Sequence, residues 1–168
     1  MIQKYPIVNE KDKIIGYLTK MQAYLKKAML RSVQIFVYNS EGELYIQKRS
    51  KNKTRYPNYF CASAAGHVEP GENYREAAIR ELKEELGFKK VKKLKFIVKE
   101  KTLVGENNYA MMTLFIITTD EPIILQEKEI ETGDFYPIRK IQQLISENLP
   151  FTPAFLHFFI KQHKKERP

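Results

Sequence analysis

The sequence predicts an α/β (α+β) layered domain. Short apolar stretches with strand character alternate with segments of helical spacing, which is the pattern of a sheet covered by helices. Forty-three per cent of the 168 residues are apolar, enough to bury a core in a chain of this length. Seven Gly and eight Pro follow no period, so collagen-like and low-complexity classes are excluded. With no repeat or linker-like stretch, residues 1–168 read as one domain.

In chain order, residues 4–8 and 13–18 read as two short strands around a turn at 9–12, and Lys20 to Met29 has helical spacing. These first 30 residues form an N-terminal extension of strands and helix. Val33 to Tyr38 and Leu44 to Lys48 are partner strands around the turn Asn39–Gly42, where glycine supplies a backbone angle that other residues resist. A basic loop over 48–55 ends at Pro57 and Asn58. Tyr59 to Ala65 reads as one buried strand and His67 to Gly71 as a loop. Glu72 to Leu86 is a helix with Gly87 as its stop. Strands follow over 94–100 and 109–118, then a charged loop over 122–131, a strand end at Phe135-Tyr136, and helices over 138–145 and 153–161.

Cys61 is the single cysteine, so no intramolecular disulfide and no all-cysteine metal site can form. That suits a reducing, cytoplasmic location. The charged N-terminus does not read as a secretion signal, and no apolar run reaches 18 residues, so no membrane role is expected. The net charge is +9, distributed unevenly: residues 66–88 hold six acids and three bases, a net of −3, which leaves +12 elsewhere. A basic surface around an acidic patch attracts polyanions such as nucleotides, diphosphates or nucleic acid.

The patch carries the chemistry. Glu81, Glu84 and Glu85 stand at i, i+3 and i+4, one face of a helix. Their mutual repulsion gains nothing for the helix unless a cation lies between them, and hard cations such as Mg²⁺ take oxygen ligands. Arg80 is spaced to pair with Glu76 or Glu84. Three acids alone would describe an ordinary solvated helix, but they lie within a longer pattern. Gly66, five residues, Glu72, seven residues, Arg80-Glu81-Leu82, one residue, Glu84-Glu85, one residue, Gly87-Phe88 matches every fixed position of the Nudix hydrolase signature, and residues 30–163 resemble a whole Nudix domain.

The resemblance implies an α/β/α sandwich with a mixed β-sheet, holding Mg²⁺ or Mn²⁺ and cleaving the diphosphate linkage of a nucleoside diphosphate-X or similar small-molecule substrate. It makes Glu81 and Glu85 the principal metal ligands, Glu84 a third and the Ala65 carbonyl a further one. Arg80 would orient the glutamates, and Glu72 would brace the loop or touch an outer metal. The general base is either a glutamate of the signature or a later acid, Glu127, Glu129 or Glu131, with Glu129 favoured.

The preceding segments, including Gln47-Lys48-Arg49-Ser50, Lys53, Pro57 and Ala64-Ala65-Gly66-His67, are similar to the branch containing isopentenyl-diphosphate isomerase. In that branch Arg49 and Lys53, with Lys48 and Arg55, would bind the diphosphate. His67 would touch metal or phosphate, or else be a loop histidine bonded to backbone. The isomerase's cysteine before the Gly-His pair is Ala65 here, and its later glutamates align with Asn108 and Ala110. Hydrolase is therefore the leading reading and isomerase-like proton transfer the alternative. A third reading is an RNA-binding or RNA 5′-end processing protein, motivated by the basic tail 161–167 but not favoured, because no aromatic-basic interleaving accompanies the charge. The N-terminal 30 residues either make a homodimer contact or cap the sheet.

Overall fold

The computed structural model describes residues 2–125 and 130–164. Its strands are β1 (Tyr5–Val8), β2 (Ile14–Leu18), β3 (Met29–Tyr38), β4 (Leu44–Arg49), β5 (Phe60–Cys61), β6 (Ala64–His67), β7 (Lys95–Gly105), β8 (Asn108–Thr118) and β9 (Ile130–Tyr136). The helices are α1 (Lys20–Leu25), α2 (Tyr74–Leu86), α3 (Ile138–Ser146) and α4 (Pro153–His163).

β3 organises the sheet. One of its edges pairs in parallel with β8 from Leu30↔Ala110 to Tyr38↔Thr118. The other edge is shared in succession by three antiparallel partners: β1 at Met29 and Leu30, β6 from Ser32 to Ile35, and β4 at Tyr38. β4 then parts from β3 and continues between β9 and β5, which opens a cleft between the two strands. β7 closes the far side as a hairpin with β8.

Alternation along β3 sends its side chains to two cores. Val33, Ile35 and Val37 pack with Ala77, Ala78, Leu82 and Leu86 of α2. Phe36 packs on the opposite face with Ile141 of α3 and Phe155, Phe158 and Phe159 of α4. The result is the α/β/α sandwich with a mixed sheet that the resemblance implies. α2 begins where Asn73 Oδ1 accepts from the amides of Arg75 and Glu76, while Glu76 returns its carboxylate to the Asn73 amide, a reciprocal cap. It ends at Gly87, whose φ of 70° is left-handed. No helix among the described residues is long and apolar enough to cross a membrane.

Several boundaries differ from expectation for identifiable reasons. The expected strand 59–65 is two strands, because Ser63 turns the chain from the β4 edge to the β3 edge. Its Oγ accepts from the Val37 amide at 2.8 Å and donates to the Tyr45 carbonyl at 2.5 Å. The helix from Lys20 stops at Leu25, and Lys27 with φ 51° releases the chain into β3 four residues earlier than expected. The interval between the expected strands 94–100 and 109–118 is mostly hairpin, with Asn107 at φ 54° in its turn. β9 begins at Ile130 rather than at Phe135.

The hairpin β1–β2 is fastened to the body through Asp12. Its Oδ1 accepts from Arg31 Nε at 2.8 Å and from the Tyr74 hydroxyl at 2.8 Å, and its Oδ2 accepts from Lys99 Nζ at 2.6 Å. Burial alone would raise this carboxyl's pKa, but the hydrogen bonds from Lys99, Tyr74 and Arg31 outweigh burial and hold it below the usual aspartate value. Its stabilising effect is therefore complete above the unfolded-state pKa and is lost as pH falls through the folded-state value. Asp12→Asn, which keeps a residue tolerant of φ 58°, is expected to cost about 2 kcal/mol at pH 7. The deficit should shrink in urea unfolding curves taken at pH values below about 4. A deficit independent of pH would contradict this account.

Candidate active site

The acidic face of α2 lies against β6. Glu81 is 8% exposed, and its carboxylate presses so closely on Gly66 that a Cβ there would lie 1.8 Å from Glu81 Oε1. Glycine is therefore needed at 66 to admit the Glu81 carboxylate. Burial pushes the Glu81 carboxyl up and Glu84 adds to that, while Arg80 opposes it.

Arg80 ties the surrounding loop together. Its Nε donates to Glu72 Oε1 at 2.7 Å, and Nη2 donates to Glu72 Oε2 at 3.1 Å and to the His67 carbonyl at 2.9 Å. Nη1 donates to Glu81 Oε1 at 2.7 Å and to Glu84 Oε2 at 3.1 Å. Glu72 in turn accepts from the Glu69 amide at 2.9 Å. The guanidinium thus fixes the loop 67–72 onto α2 and spans two of the three candidate ligands. The expected Arg80–Glu84 pair forms. Glu76 instead caps the helix.

Glu85 faces the other way. Its Oε2 accepts from Gln47 Nε2 at 3.1 Å, and Gln47 Nε2 also donates to the Ser63 carbonyl. Among the described residues, no group of three or more His, Cys, Asp and Glu side chains is gathered as a metal cage. Glu81 and Glu84 turn to Arg80, and Glu85 turns to Gln47. The donor chemistry nevertheless fits a hard divalent cation. Three carboxylates border one cleft, and Glu81 among them is buried and so lacks the hydration that would otherwise support its charge.

That cleft, of about 420 Å³, is lined by Glu81, Glu84, Glu85 and Arg80 on one wall and by Ala65, Gly66 and His67 on another, and Arg49 and Lys53 also border it. Of the other candidates from the sequence, Lys48, Arg55, Glu72 and Glu131 do not line the cleft, and Glu129 with Glu127 lies outside the described residues, as does the basic tail beyond Lys164. Glu131, the remaining late acid, is exposed, 4.0 Å from Lys48 Nζ. Arg49 also donates to the Arg55 carbonyl, from Nε at 3.3 Å and Nη2 at 3.2 Å, which closes the basic loop. Arg55 itself is engaged by the Val104 carbonyl at 2.7 Å and by the rings of Tyr24 and Tyr56.

His67 ends β6 instead of beginning a loop; its Nδ1 lies 2.8 Å from Ser32 Oγ, and the ring also hydrogen-bonds to the Arg31 backbone. Burial, with help from Lys20 and Arg55, lowers its pKa to about 4. At neutral pH the ring is uncharged and offers hydrogen bonding, not a cation, to a phosphate. Three lining residues were missed in the sequence, Glu69 on the loop before α2 and two from the N-terminal segment. Tyr5 and Lys20 reach the cleft from the N-terminal segment, with Lys20 Nζ 4.8 Å from the centre of the Tyr5 ring. Only the basic charge of Lys20 hinted at this role.

A loop–helix unit bearing clustered glutamates on an α/β/α sandwich defines a class of phosphate-directed hydrolases, and comparison with known proteins places the chain within it. Residues 29–155 match the NUDIX domain. The chain is 33% identical over 155 residues to isopentenyl-diphosphate Delta-isomerase 1 of Photorhabdus laumondii, covering 89% of this chain and 88% of that protein. It is 31% identical over 153 residues to an uncharacterised Nudix hydrolase of Pseudomonas aeruginosa, covering 89% and 86% respectively. A crystal structure from Deinococcus radiodurans superposes with a TM-score of 0.80 at 23% identity, covering 96% of this chain and 99% of that one. The chain belongs to the Nudix family and is a Nudix-type hydrolase acting on phosphate-containing substrates.

Gly66→Ala is expected to destabilise the fold by about 1–3 kcal/mol, because the new methyl overlaps the Glu81 carboxylate. Glu81→Ala in the same background should recover most of that loss, a coupling measurable by urea unfolding of the four proteins in the cycle. Additive losses would contradict the close contact.

Proposed function

We propose that the protein is a Mg²⁺- or Mn²⁺-dependent pyrophosphohydrolase that cleaves the anhydride bond of a small-molecule diphosphate bearing a group X. The observation that carries this reading is the meeting of the glutamates of α2 with Arg49 and Lys53 in one cleft. That gives oxygen donors for a cation on one side and cationic side chains for phosphate on the other. Glu81, Glu84, Glu85 and the Ala65 carbonyl are the proposed holders of the ion. When bound, the ion neutralises the diphosphate, polarises its oxygens and makes water more acidic.

The protein's own groups do the rest. Arg49 and Lys53 orient the terminal phosphate, and Arg80 keeps Glu81 and Glu84 in place. A carboxylate takes the proton of the attacking water, either a glutamate of α2 or a later acid, for which Glu129 is our choice. The water oxygen bonds to phosphorus, the bridging P–O bond breaks, and X-monophosphate and a second phosphate leave.

The Photorhabdus relative's name favours a second reading, isomerase-like proton transfer on an isoprenoid diphosphate. The groups here argue for hydrolysis. Ala65 stands where the resemblance expects the reacting cysteine. Cys61 lies beyond the chain's switch between β5 and β6, and burial pushes its thiol up to about 12. Asn108 and Ala110 of β8 offer no carboxylate.

Glu85→Gln preserves the shape and the contact to Gln47, and is expected to lower kcat about 10²–10⁴-fold with little change in unfolding midpoint. The assay is monophosphate release from a panel of nucleoside and isoprenoid diphosphates with Mg²⁺ or Mn²⁺. Wild-type turnover in this variant would overturn the site. Isomerised isopentenyl diphosphate without phosphate release would favour the second reading.

A further inference from the structure

The chain between β4 and β5 brings two cations to the cleft, Arg49 at its start and Lys53 within it. Its far end is fastened to the β7–β8 hairpin. Arg55 Nη2 donates to the Val104 carbonyl at 2.7 Å, and the Tyr56 hydroxyl donates to the same oxygen at 3.1 Å. The Arg55 guanidinium also lies between two rings, 4.9 Å from the centre of Tyr24 in α1 and 5.6 Å from that of Tyr56. It rests against bare backbone, since a Cβ on Gly105 would overlap Arg55 Nη2. Tyr56 meanwhile has a left-handed φ of 51°, a conformation that a bulky residue keeps only where its surroundings hold it there.

Arg49 depends on the same residue. Its Nε and Nη2 donate to the Arg55 carbonyl at 3.3 Å and 3.2 Å. Arg55 therefore receives the Arg49 guanidinium on its main chain while its own side chain is fixed elsewhere. The resemblance groups Arg55 with the phosphate-binding cations, yet it does not line the cleft of the glutamates. A guanidinium binds through its flat faces and its N–H edge. Here the rings take the faces, and the Val104 carbonyl takes part of the edge.

We infer that Arg55 is a positioning residue and not a phosphate ligand: seated on Val104, Gly105 and Tyr24, it holds the carbonyl that aims Arg49 at the diphosphate. This rests on the hydrolase reading and deepens it. Without the seat, the far end of the loop is released and the substrate itself must order Arg49, which weakens binding. The loss falls on affinity more than on the chemical step, because Arg49 holds phosphate in the ground state and the transition state alike. Through Tyr24 the effect reaches α1, which lies outside the residues matched to the NUDIX domain. A segment beyond the family's common domain thus helps to set the grip on phosphate.

The test measures calorimetric Kd, with Mg²⁺, for methylenediphosphonate, a diphosphate analogue without a cleavable bridging oxygen. The proteins are the wild type, Arg49→Met, Arg55→Met, Gly105→Ala, and Arg49→Met combined with each of the other two. Gly105→Ala keeps every charge and displaces the far end of the Arg55 side chain, so its unfolding midpoint is expected close to wild type. Each single variant should weaken Kd about fivefold or more, and neither combination should be weaker than Arg49→Met by more than about twofold. On any diphosphate that is hydrolysed, Arg55→Met and Gly105→Ala should raise KM while kcat stays within about threefold of wild type. Wild-type Kd in any folded single variant overturns the inference, as does a loss confined to kcat. Losses that multiply in the combinations also overturn it, because Arg55 would then act on phosphate directly or through its charge. If Arg55→Met does not fold, Gly105→Ala and its combination decide. Absence of wild-type binding overturns the inference as well. If the wild type binds the analogue but hydrolyses no diphosphate, the hydrolase reading fails separately and the Kd comparison still decides the role of Arg55.

Discussion

The contact of the Glu81 carboxylate with the bare backbone of Gly66 is the constraint on which the site depends. It seats an acidic helix directly on the end of β6, where any side chain would hold the two apart. Burying a carboxylate there is unfavourable without compensation, and Arg80 provides it through a 2.7 Å bond. The same guanidinium grips Glu72 and the His67 carbonyl, so one cation fixes both the helix face and the loop before it. Partly buried, charge-assisted bonds of this kind give defined geometry as well as energy.

The remaining architecture positions what faces this contact. Because β3 pairs with β4 only at its end and with β6 lower down, the sheet splits, and the split becomes the cleft. Ser63, bonded to both Val37 and Tyr45, holds the crossing chain at the split. Arg49 and Lys53 then enter from the β4 side, Lys20 and Tyr5 from the N-terminal segment. Opposite charges meet across a gap, an arrangement suited to a polyanion bridged to a metal ion.

Much of this was legible because it is local. The helix α2 announces itself by its spacing and Gly87, though it starts at Tyr74 and not at the expected Glu72, because Asn73 caps its first turn. The glutamate spacing fixes which acids share a face, and the Arg80–Glu84 pair follows from the same geometry. What the sequence hid depends on distant segments meeting. The approach of Lys20 to the cleft and the hold of Gln47 on Glu85 both require the register of strands far apart in sequence. Cys61 shows the cost of assuming continuity: a straight strand would place it on a common face with Ala65, but the chain changes edges at Ser63 between them. His67 shares the cleft with the acids, and its neutral state comes from burial, which no single residue encodes.

The central claim is that the carboxylates of α2 and the carbonyl of Ala65 hold a divalent cation facing Arg49 and Lys53. Crystals soaked in Mn²⁺ and measured at its absorption edge test it most directly. The account expects an anomalous peak within ligand distance of Glu81, Glu85 and the Ala65 oxygen, with Glu81 withdrawn from Arg80 to meet it. A map with no peak in that cleft, or with manganese bound only elsewhere on the surface, would contradict it.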